Sequence, residues 1–174
     1  MPSSSRQERA AVRAAQAGSA EALESLYRDH WPRAYRAAYL VVHDAAGAED
    51  IAQEAFLAAV RALDRFDRRR PFGPWLHRIV VNRAIDWARA RTLRAEVELP
   101  ETHAAPHAAP AGLEAVVVAL GGLPPEQRGV IVLRHFLEYT PGEIAELLDL
   151  PRGTVNSRLR RGLDELARAL GEER

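Results

Sequence analysis

The chain has no cysteine among its 174 residues. That excludes a disulfide framework, a thiol nucleophile and any thiolate metal site, and leaves no sign of an oxidising compartment. Lysine is also missing: all 24 basic residues are arginine, a usage that GC-rich coding alone would produce. Aromatic residues are only 6%, and clusters of Val, Ile, Thr and Tyr are sparse, which argues against a protein built on strands. No apolar run reaches the length of a signal h-region or a membrane span, and the opening MPSSSRQERA passes straight into charge, so a cytoplasmic protein without membrane association is expected. Net charge is zero, which argues against a protein that coats nucleic acid by bulk electrostatics. Ser-His-Asp, HExxH, Walker and dinucleotide-binding patterns are absent too, so neither an enzyme nor a cofactor is expected.

What is present points one way. Ala, Leu, Arg and Glu dominate, the residues that lose least on entering a helix, and 47% hydrophobic content suffices for a packed core in one domain or two small ones. An all-α protein follows. Charge is unevenly spread: residues 44 to 60 carry four acids and no arginine, and residues 61 to 94 carry ten arginines against three acids. Residues 95 to 127 then hold five acids without arginine, and residues 150 to 163 hold four arginines without an acid. Two basic islands separated by acidic stretches imply two separate, individually modest contacts with a polyanion.

VELPETHAAPHAAPAG, residues 97 to 112, contains three prolines, small residues and no apolar period, and reads as a linker. The expected organisation is a helical domain at 1–95, a linker at 96–111 and a second helical domain at 112–174. If largely polyproline-like, such a linker spans roughly 50 Å and lets the halves sit far apart. His103 and His107 have a spacing that suits a metal on a helix, but Pro106 lies between them and no carboxylate-rich partner follows. Helices are expected near 6–17, 19–42, 48–64 and 72–93, broken by Gly18, the His43–Gly47 turn and the Arg-Pro stretch at 68–71, with Ser19 as an N-cap. Four more are expected near 112–120, 125–137, 141–148 and 153–169. Glu49, Asp50 and Glu54 are a possible metal set for a bundle, but lack the ExxH partner such sites use.

On a helical wheel, Val155, Leu159, Leu163, Leu166 and Leu170 form one stripe, opposite Thr154, Ser157, Arg158, Arg161, Glu165 and Arg168. The preceding TPGEIAELLDL supplies a second short apolar face in Ile144, Ala145, Leu147 and Leu148. Two helices this close together have the spacing of a helix-turn-helix, whose second member enters the DNA major groove by its N-terminal end. Thr154, Ser157, Arg158 and Arg161 would then approach bases and phosphates, with Arg152 and Arg160 holding phosphates. An amphipathic helix merely docked on its neighbour has the same pattern.

GEIAELLDLPRGTVNSRLRRGLDEL resembles the minus-thirty-five recognition region of bacterial extracytoplasmic-function (ECF) sigma factors, in which an EIA segment, a turn and a GTV-x-SR-x-x-R-x-x-x-x-L run recur. Asn156 stands where that family commonly has lysine. LPPEQRGVIVLRHFLEYT, residues 123 to 140, is similar to the helix that precedes it there. EALESLYRDHWPRAYRAAYLVVHDAAGAEDIAQEAFLAAVRAL, residues 21 to 63, resembles the first blocks of the same family, where an AED-x-x-QE-x-F helix packs on a Tyr-rich partner. RFDRRRPFGPWLHRIVVNRAIDWARARTLR, residues 65 to 94, is similar to the segment that recognises and opens the minus-ten element.

The residues read alone are compatible with this. In the helix at 48–64, Ala52, Phe56, Ala59, Val60 and Leu63 share one face, while Asp50, Gln53, Glu54, Leu57 and Arg61 share the other, with Leu57 at its centre. In the helix from residue 72, Phe72, Leu76, Ile79, Val80 and Trp87 lie on the apolar side, and Arg78, Asn82 and Arg89 lie on another with Asp86 beside them. Phe72 and Trp75 fit either a core or a wedge against bases. The resemblance implies docking of Asp50, Gln53, Glu54 and Leu57 on the clamp coiled coil of the largest subunit of RNA polymerase core, with a further contact to the flap. It implies minus-ten contacts from Phe72, Trp75, Arg78, Asn82, Arg83, Asp86 and Arg89, and minus-thirty-five contacts from Arg152, Thr154, Asn156, Ser157, Arg158, Arg160 and Arg161. Promoter DNA and an anti-sigma factor are the other implied partners. The expected function is a transcription initiation factor that reads one element as duplex and the other as melted strand; the alternative is a helix-turn-helix regulator binding a palindromic operator as a dimer.

Overall fold

A computed structural model describes residues 2–95 and 113–171; the expected linker, with His103 and His107, lies outside these residues. Among the described residues eight α-helices follow one another: α1 (Pro2–Gln16), α2 (Ala20–Val42), α3 (Ala45–Ala62), α4 (Phe72–Ala95), α5 (Leu113–Gly121), α6 (Pro125–Ile131), α7 (Pro141–Leu148) and α8 (Arg152–Ala169). No strand occurs among them.

The boundaries follow from local chemistry. Gly18 takes φ +92° between α1 and α2, a conformation that costs glycine nothing, and Ser19 caps α2 by accepting from the Ala22 N–H at 3.2 Å. His43, at φ 55°, ends α2 and returns its N–H to the Tyr39 carbonyl. Asp44 then caps α3, its Oδ1 accepting from Gly47 N–H at 2.8 Å. The helix therefore begins at Ala45 instead of 48, because Asp44 to Gly47 is a capped first turn and not a free loop. Thr140 and Glu143 form a reciprocal capping box at the start of α7. The helix expected at 125–137 is α6 followed by a π-helical turn at Val132–Phe136, closed by the Leu137 N–H on the Val132 carbonyl at 2.9 Å. That turn exits through Glu138 at φ 65°.

Around α2, α3 and α4 the core is rich in small residues: Ala34, Ala37, Ala38, Ala48, Ala52, Ala55, Ala59, Ala84 and Ala88 are all buried, as are Phe56, Leu76, Val80 and Val81. Small side chains let the helix axes approach, and each large one fully buried contributes about 1.5–3 kcal/mol. The second body is built on α6 and its π turn, where Val130, Ile131, Val132 and Leu133 pack with Ile144, Val155, Leu159 and Leu166.

The two bodies touch, and buried residues from both form one continuous cluster. Gly129 of α6 comes so close to α4 that a Cβ there would lie 2.5 Å from Ile85 Cδ1. Arg128, 8% exposed, donates to the Val41 carbonyl of α2 and meets His43 Nδ1 at 3.2 Å. His77 Nδ1 of α4 meets the Tyr139 hydroxyl at 2.7 Å, and Arg33 of α2 pairs with Glu138 at 3.6 Å. Halves that can sit far apart were expected from the sequence; in the structure the described parts of the two are in contact.

Candidate nucleic-acid interface

Helix α8 buries Val155, Leu159, Gly162 and Leu166. Leu163 and Leu170, expected in that stripe, are each 37% exposed. Gly162 faces α6 in place of Leu163: α8 lies so close there that a Cβ would stand 2.7 Å from Ile131 Cδ1 and 3.3 Å from Gln127 Oε1. This rotation turns Arg152, Asn156, Arg160 and Arg161 fully outward, while Thr154, Ser157 and Arg158 are half-buried. Ser157 donates to the Thr154 carbonyl at 2.9 Å, and Arg161 donates to Ser157 Oγ at 3.4 Å. Pro151 offers no side-chain cap, and its carbonyl accepts from the Thr154 and Val155 N–H groups, so the N–H groups of Arg152 and Gly153 at the start of α8 are chemically suited to an anion.

A second arginine surface runs along α4. Phe72, expected to face DNA, is 3% exposed: its ring sits among Phe66, Trp75 and His30 at centroid distances of 5.9, 5.7 and 5.1 Å. Its N–H donates to Glu8 Oε1 at 2.6 Å, which fixes the start of α4 on α1. Phe72 is core, because it occupies the first turn of a helix whose inward stripe continues through Leu76 and Val80. Trp75 is half-buried, its ring tilted 32° against that of Phe66 at a centroid distance of 4.5 Å. Its outer edge walls a groove of about 360 Å³ bounded by Arg70, Arg78, Tyr139, Glu143, Glu146 and Leu147.

Arg78 and Asp86 are exposed and Asn82 is half-buried. Arg89 pairs with Asp86 at 3.4 Å and also with Glu126 of the second body. Burial pushes the Glu126 carboxyl up, but its backbone N–H, Arg89 and the nearby charge of Arg158 outweigh that and hold it below the usual range. Glu126 thus lies within the field of one arginine from each basic island. Arg83 pairs with Glu54 of α3 at 2.7 Å, so one expected DNA contact and one expected polymerase contact hold each other.

On α3, Asp50, Gln53, Glu54 and Leu57 are all exposed, Leu57 at 54%. Leu57 walls an almost wholly apolar groove of about 410 Å³ with Leu23, Tyr27, Phe56 and Val60. Val60, expected in the core with Phe56, is 45% exposed. Its place on the wheel lies between Phe56 and Leu57, and α2 covers only the Phe56 side. Tyr27 and Val60 are the residues that sequence reasoning missed here; the i, i+3 spacing of Leu57 and Val60 was the available signal.

A four-residue unit fixes α3 on α4. Trp87 lies over Gly47, where a Cβ would meet its ring at 2.7 Å, and Arg91 lies 5.1 Å from the Trp87 ring centroid. Arg91 also donates to Asp44 at 2.8 Å. The Gly47 N–H and the Arg91 guanidinium together hold the Asp44 carboxyl below its ordinary pKa. Cap, ion pair and ring contact therefore set the angle between the Leu57 groove and the arginine side of α4.

Comparison with known proteins identifies the family. The family description "Sigma-70 region 2" matches residues 26–94 and "Sigma-70, region 4" matches residues 113–166. The chain is 35% identical over 162 residues to the ECF RNA polymerase sigma factor SigW of Bacillus subtilis (strain 168), covering 83% of this chain and 85% of the relative. It is 35% identical over 159 residues to the ECF RNA polymerase sigma factor SigM of Mycobacterium tuberculosis (strain ATCC 25618 / H37Rv), covering 89% and 80%. Among solved structures it resembles CnrH in complex with the cytosolic domain of CnrY, with TM-score 0.71 and 28% identity over 97% of this chain and 99% of that one. These matches do not favour a dimeric operator-binding regulator. The chain belongs to the ECF sigma factors and is a transcription initiation factor.

Proposed function

We propose that this sigma factor docks on RNA polymerase core through the Leu57 groove and divides promoter reading between its two arginine surfaces. The observation that carries the reading is the difference between the surfaces: the basic sides of α4 and α8 sit on different bodies, and a third surface, an apolar groove between α2 and α3, has no arginine in its lining. Residues 1–95 act as the polymerase-binding and minus-ten domain and residues 112–174 as the minus-thirty-five domain. Arg152, Thr154, Asn156, Ser157, Arg158, Arg160 and Arg161 meet duplex DNA in the major groove, where arginine suits guanine through its paired donors. Trp75, Arg78, Asn82, Asp86 and Arg89 meet opened strand, for which a positive groove beside an aromatic wall is the fitting surface. Phe72 supports Trp75 from beneath, and Arg83 joins the strand-binding set on leaving Glu54.

Leu57, Tyr27 and Val60 form an apolar centre rimmed by Asp50, Gln53 and Glu54, the composition of a hot spot for a helical partner such as the clamp coiled coil; the second body meets the flap. The work is recruitment and positioning in the cytoplasm, with no catalytic group assigned. SigW and SigM are named as sigma factors and CnrH is seen with CnrY, which supports RNA polymerase, promoter DNA and an anti-sigma protein as partners here.

Each arginine set neutralises only a few phosphates, so each alone is weak and loses about 0.9 log units of affinity per phosphate contact per log unit of salt. Joined on polymerase, the two reach effective concentrations near millimolar and become adequate. The test is run-off transcription with purified core polymerase on a promoter library. Discrete transcripts that require this protein are expected; their absence, with tight promoter binding by the protein alone, contradicts the reading.

A further inference from the structure

Two polar side chains of α1 end on the segment that carries the chain from α3 into α4. Val12 and Ala15 are buried and dock α1 on the first body. Gln16 and Glu8 flank them on the same side of the helix, about 12 Å of axis apart at 1.5 Å per residue. Gln16 Nε2 donates to the Leu63 carbonyl at 2.8 Å and to the Phe66 carbonyl at 3.0 Å. Glu8 Oε1 accepts from the Phe72 N–H at 2.6 Å, while Glu8 Oε2 lies 3.8 Å from His30 Nε2. One helix thus grips residues 63–72 where they leave α3 and again where they enter α4.

Between the two grips stand Arg65, Arg68, Arg69 and Arg70, all exposed. Asp67 ties them into a turn: its Oδ1 accepts from the Arg69 N–H at 3.0 Å and its carbonyl from the Arg70 N–H at 2.9 Å. The far end of this turn reaches the strand-binding surface. Arg70 and Trp75 together wall the groove of about 360 Å³ and a second hollow of about 420 Å³. A turn with so few internal bonds is aimed by whatever holds its ends, and ordering it before DNA arrives removes an entropy cost from binding.

We infer that Gln16 and Glu8 are positioning residues for strand capture: by fixing both ends of residues 63–72 they hold Arg70 and Trp75 in the register an opened strand requires. Neither side chain touches DNA; each acts through the backbone it binds. The inference rests on the assignment of α4 to opened DNA given above, and it extends the promoter-reading machinery to a helix whose composition marks it only as amphipathic.

The test is made on holoenzyme with a fork-junction DNA whose minus-ten non-template strand is unpaired. Its affinity is measured by fluorescence competition, beside core affinity by surface plasmon resonance and upstream nuclease protection. Gln16→Ala and Glu8→Ala should each weaken fork binding about fivefold, the worth of a lost hydrogen bond, with core affinity, helicity and upstream protection unchanged. Glu8→Gln keeps an oxygen for the Phe72 N–H and should restore fork affinity. Fork and core affinity falling in step would give α1 a packing role alone and overturn the inference. Wild-type fork affinity in both alanine variants overturns it as well, as does a Glu8→Gln variant no better than Glu8→Ala. Arg78→Ala with Asn82→Ala separates the two levels. If that pair loses fork binding and the α1 variants do not, only the positioning role falls; if the pair binds normally, the α4 assignment falls with it.

Discussion

Gly162 of α8 lies against Ile131 of α6, so near that a Cβ on the glycine would stand 2.7 Å from the isoleucine Cδ1 and 3.3 Å from Gln127 Oε1. This proximity sets how deep the recognition helix sits on its support. Two effects compete on substitution. Alanine gains about 1 kcal/mol of helix propensity over glycine but must displace the movable ends of Ile131 and Gln127, so Gly162→Ala should be nearly neutral. Gly162→Val adds two methyl groups at a position where the Cβ alone already crowds Ile131, and overpacking of this kind costs about 1–3 kcal/mol. Chemical denaturation of both variants checks the order, and the valine variant should also lose duplex binding to the minus-thirty-five element.

Leu57→Asp should reduce core polymerase binding at least thirtyfold, equivalent to the roughly 2 kcal/mol of a hot-spot residue. Leu57 is 54% exposed and supports no core, so circular dichroism should be unchanged. Val60→Asp should act in the same direction, since Val60 walls the same groove. Surface plasmon resonance on immobilised core measures both.

Acid should destabilise the fold through buried histidine. Burial, with the charges of His30 and Arg33 adding to it, lowers the His77 pKa from 6.5 to about 3. The folded form therefore resists a proton that the unfolded chain accepts. Its contribution is complete above pH 6.5 and falls as pH drops towards 3, by about 1.4 kcal/mol per pH unit. His30 and His43 are lowered as well, mainly by burial. Between pH 6.5 and 5 the wild type should lose about 2 kcal/mol through His77 alone, and His77→Gln should flatten that slope by one proton in urea titrations.

Arg158→Ala and Arg161→Ala should each weaken specific duplex binding of the holoenzyme by about 1–3 kcal/mol and relax preference at a base. Arg152→Ala and Arg160→Ala should weaken binding evenly across sequences and lower the salt slope by about 0.9 for each phosphate no longer neutralised. Competition assays at several salt concentrations tell the two pairs apart. Equal sequence preference in all four variants would remove base reading from Arg158 and Arg161.

Helix positions were legible because each is punctuated by residues with a local task. Gly18 and Ser19 end one helix and begin the next through φ and a single hydroxyl, and Thr140 with Glu143 does the same for α7. Such signals need no knowledge of the rest of the chain. Asp44 was harder to see: glycine and alanine after it resemble a turn until its carboxylate is found on the Gly47 N–H. The π turn after Ile131 carries no compositional mark, since its extra residue is stabilised by packing and by the Tyr139 N–H on the Leu133 carbonyl.

Side-chain exposure was legible only where one stripe was much more apolar than its neighbours. Leu163 and Gly162 show the failure: hydrophobicity favours burying the leucine, but α8 makes its close approach to α6 at the glycine and leaves Leu163 37% exposed. Phe72 and Val60 lie at stripe edges, where the packing of adjacent helices decides, and that packing belongs to tertiary structure. The docking of the two bodies had no sequence signal, because Arg128 reads as one more surface arginine until its partner, a backbone carbonyl from α2, is known.

Permanganate and nuclease footprinting of the holoenzyme on a promoter chosen by run-off transcription tests the division of labour most directly. With wild-type protein, reactive thymines at the minus-ten element and nuclease protection at minus thirty-five should appear together. Arg78→Ala with Asn82→Ala should abolish the thymine reactivity and leave upstream protection in place, whereas Arg158→Ala with Arg161→Ala should remove upstream protection first. Loss of upstream protection through the α4 pair, or unaltered footprints with both pairs, contradicts the account.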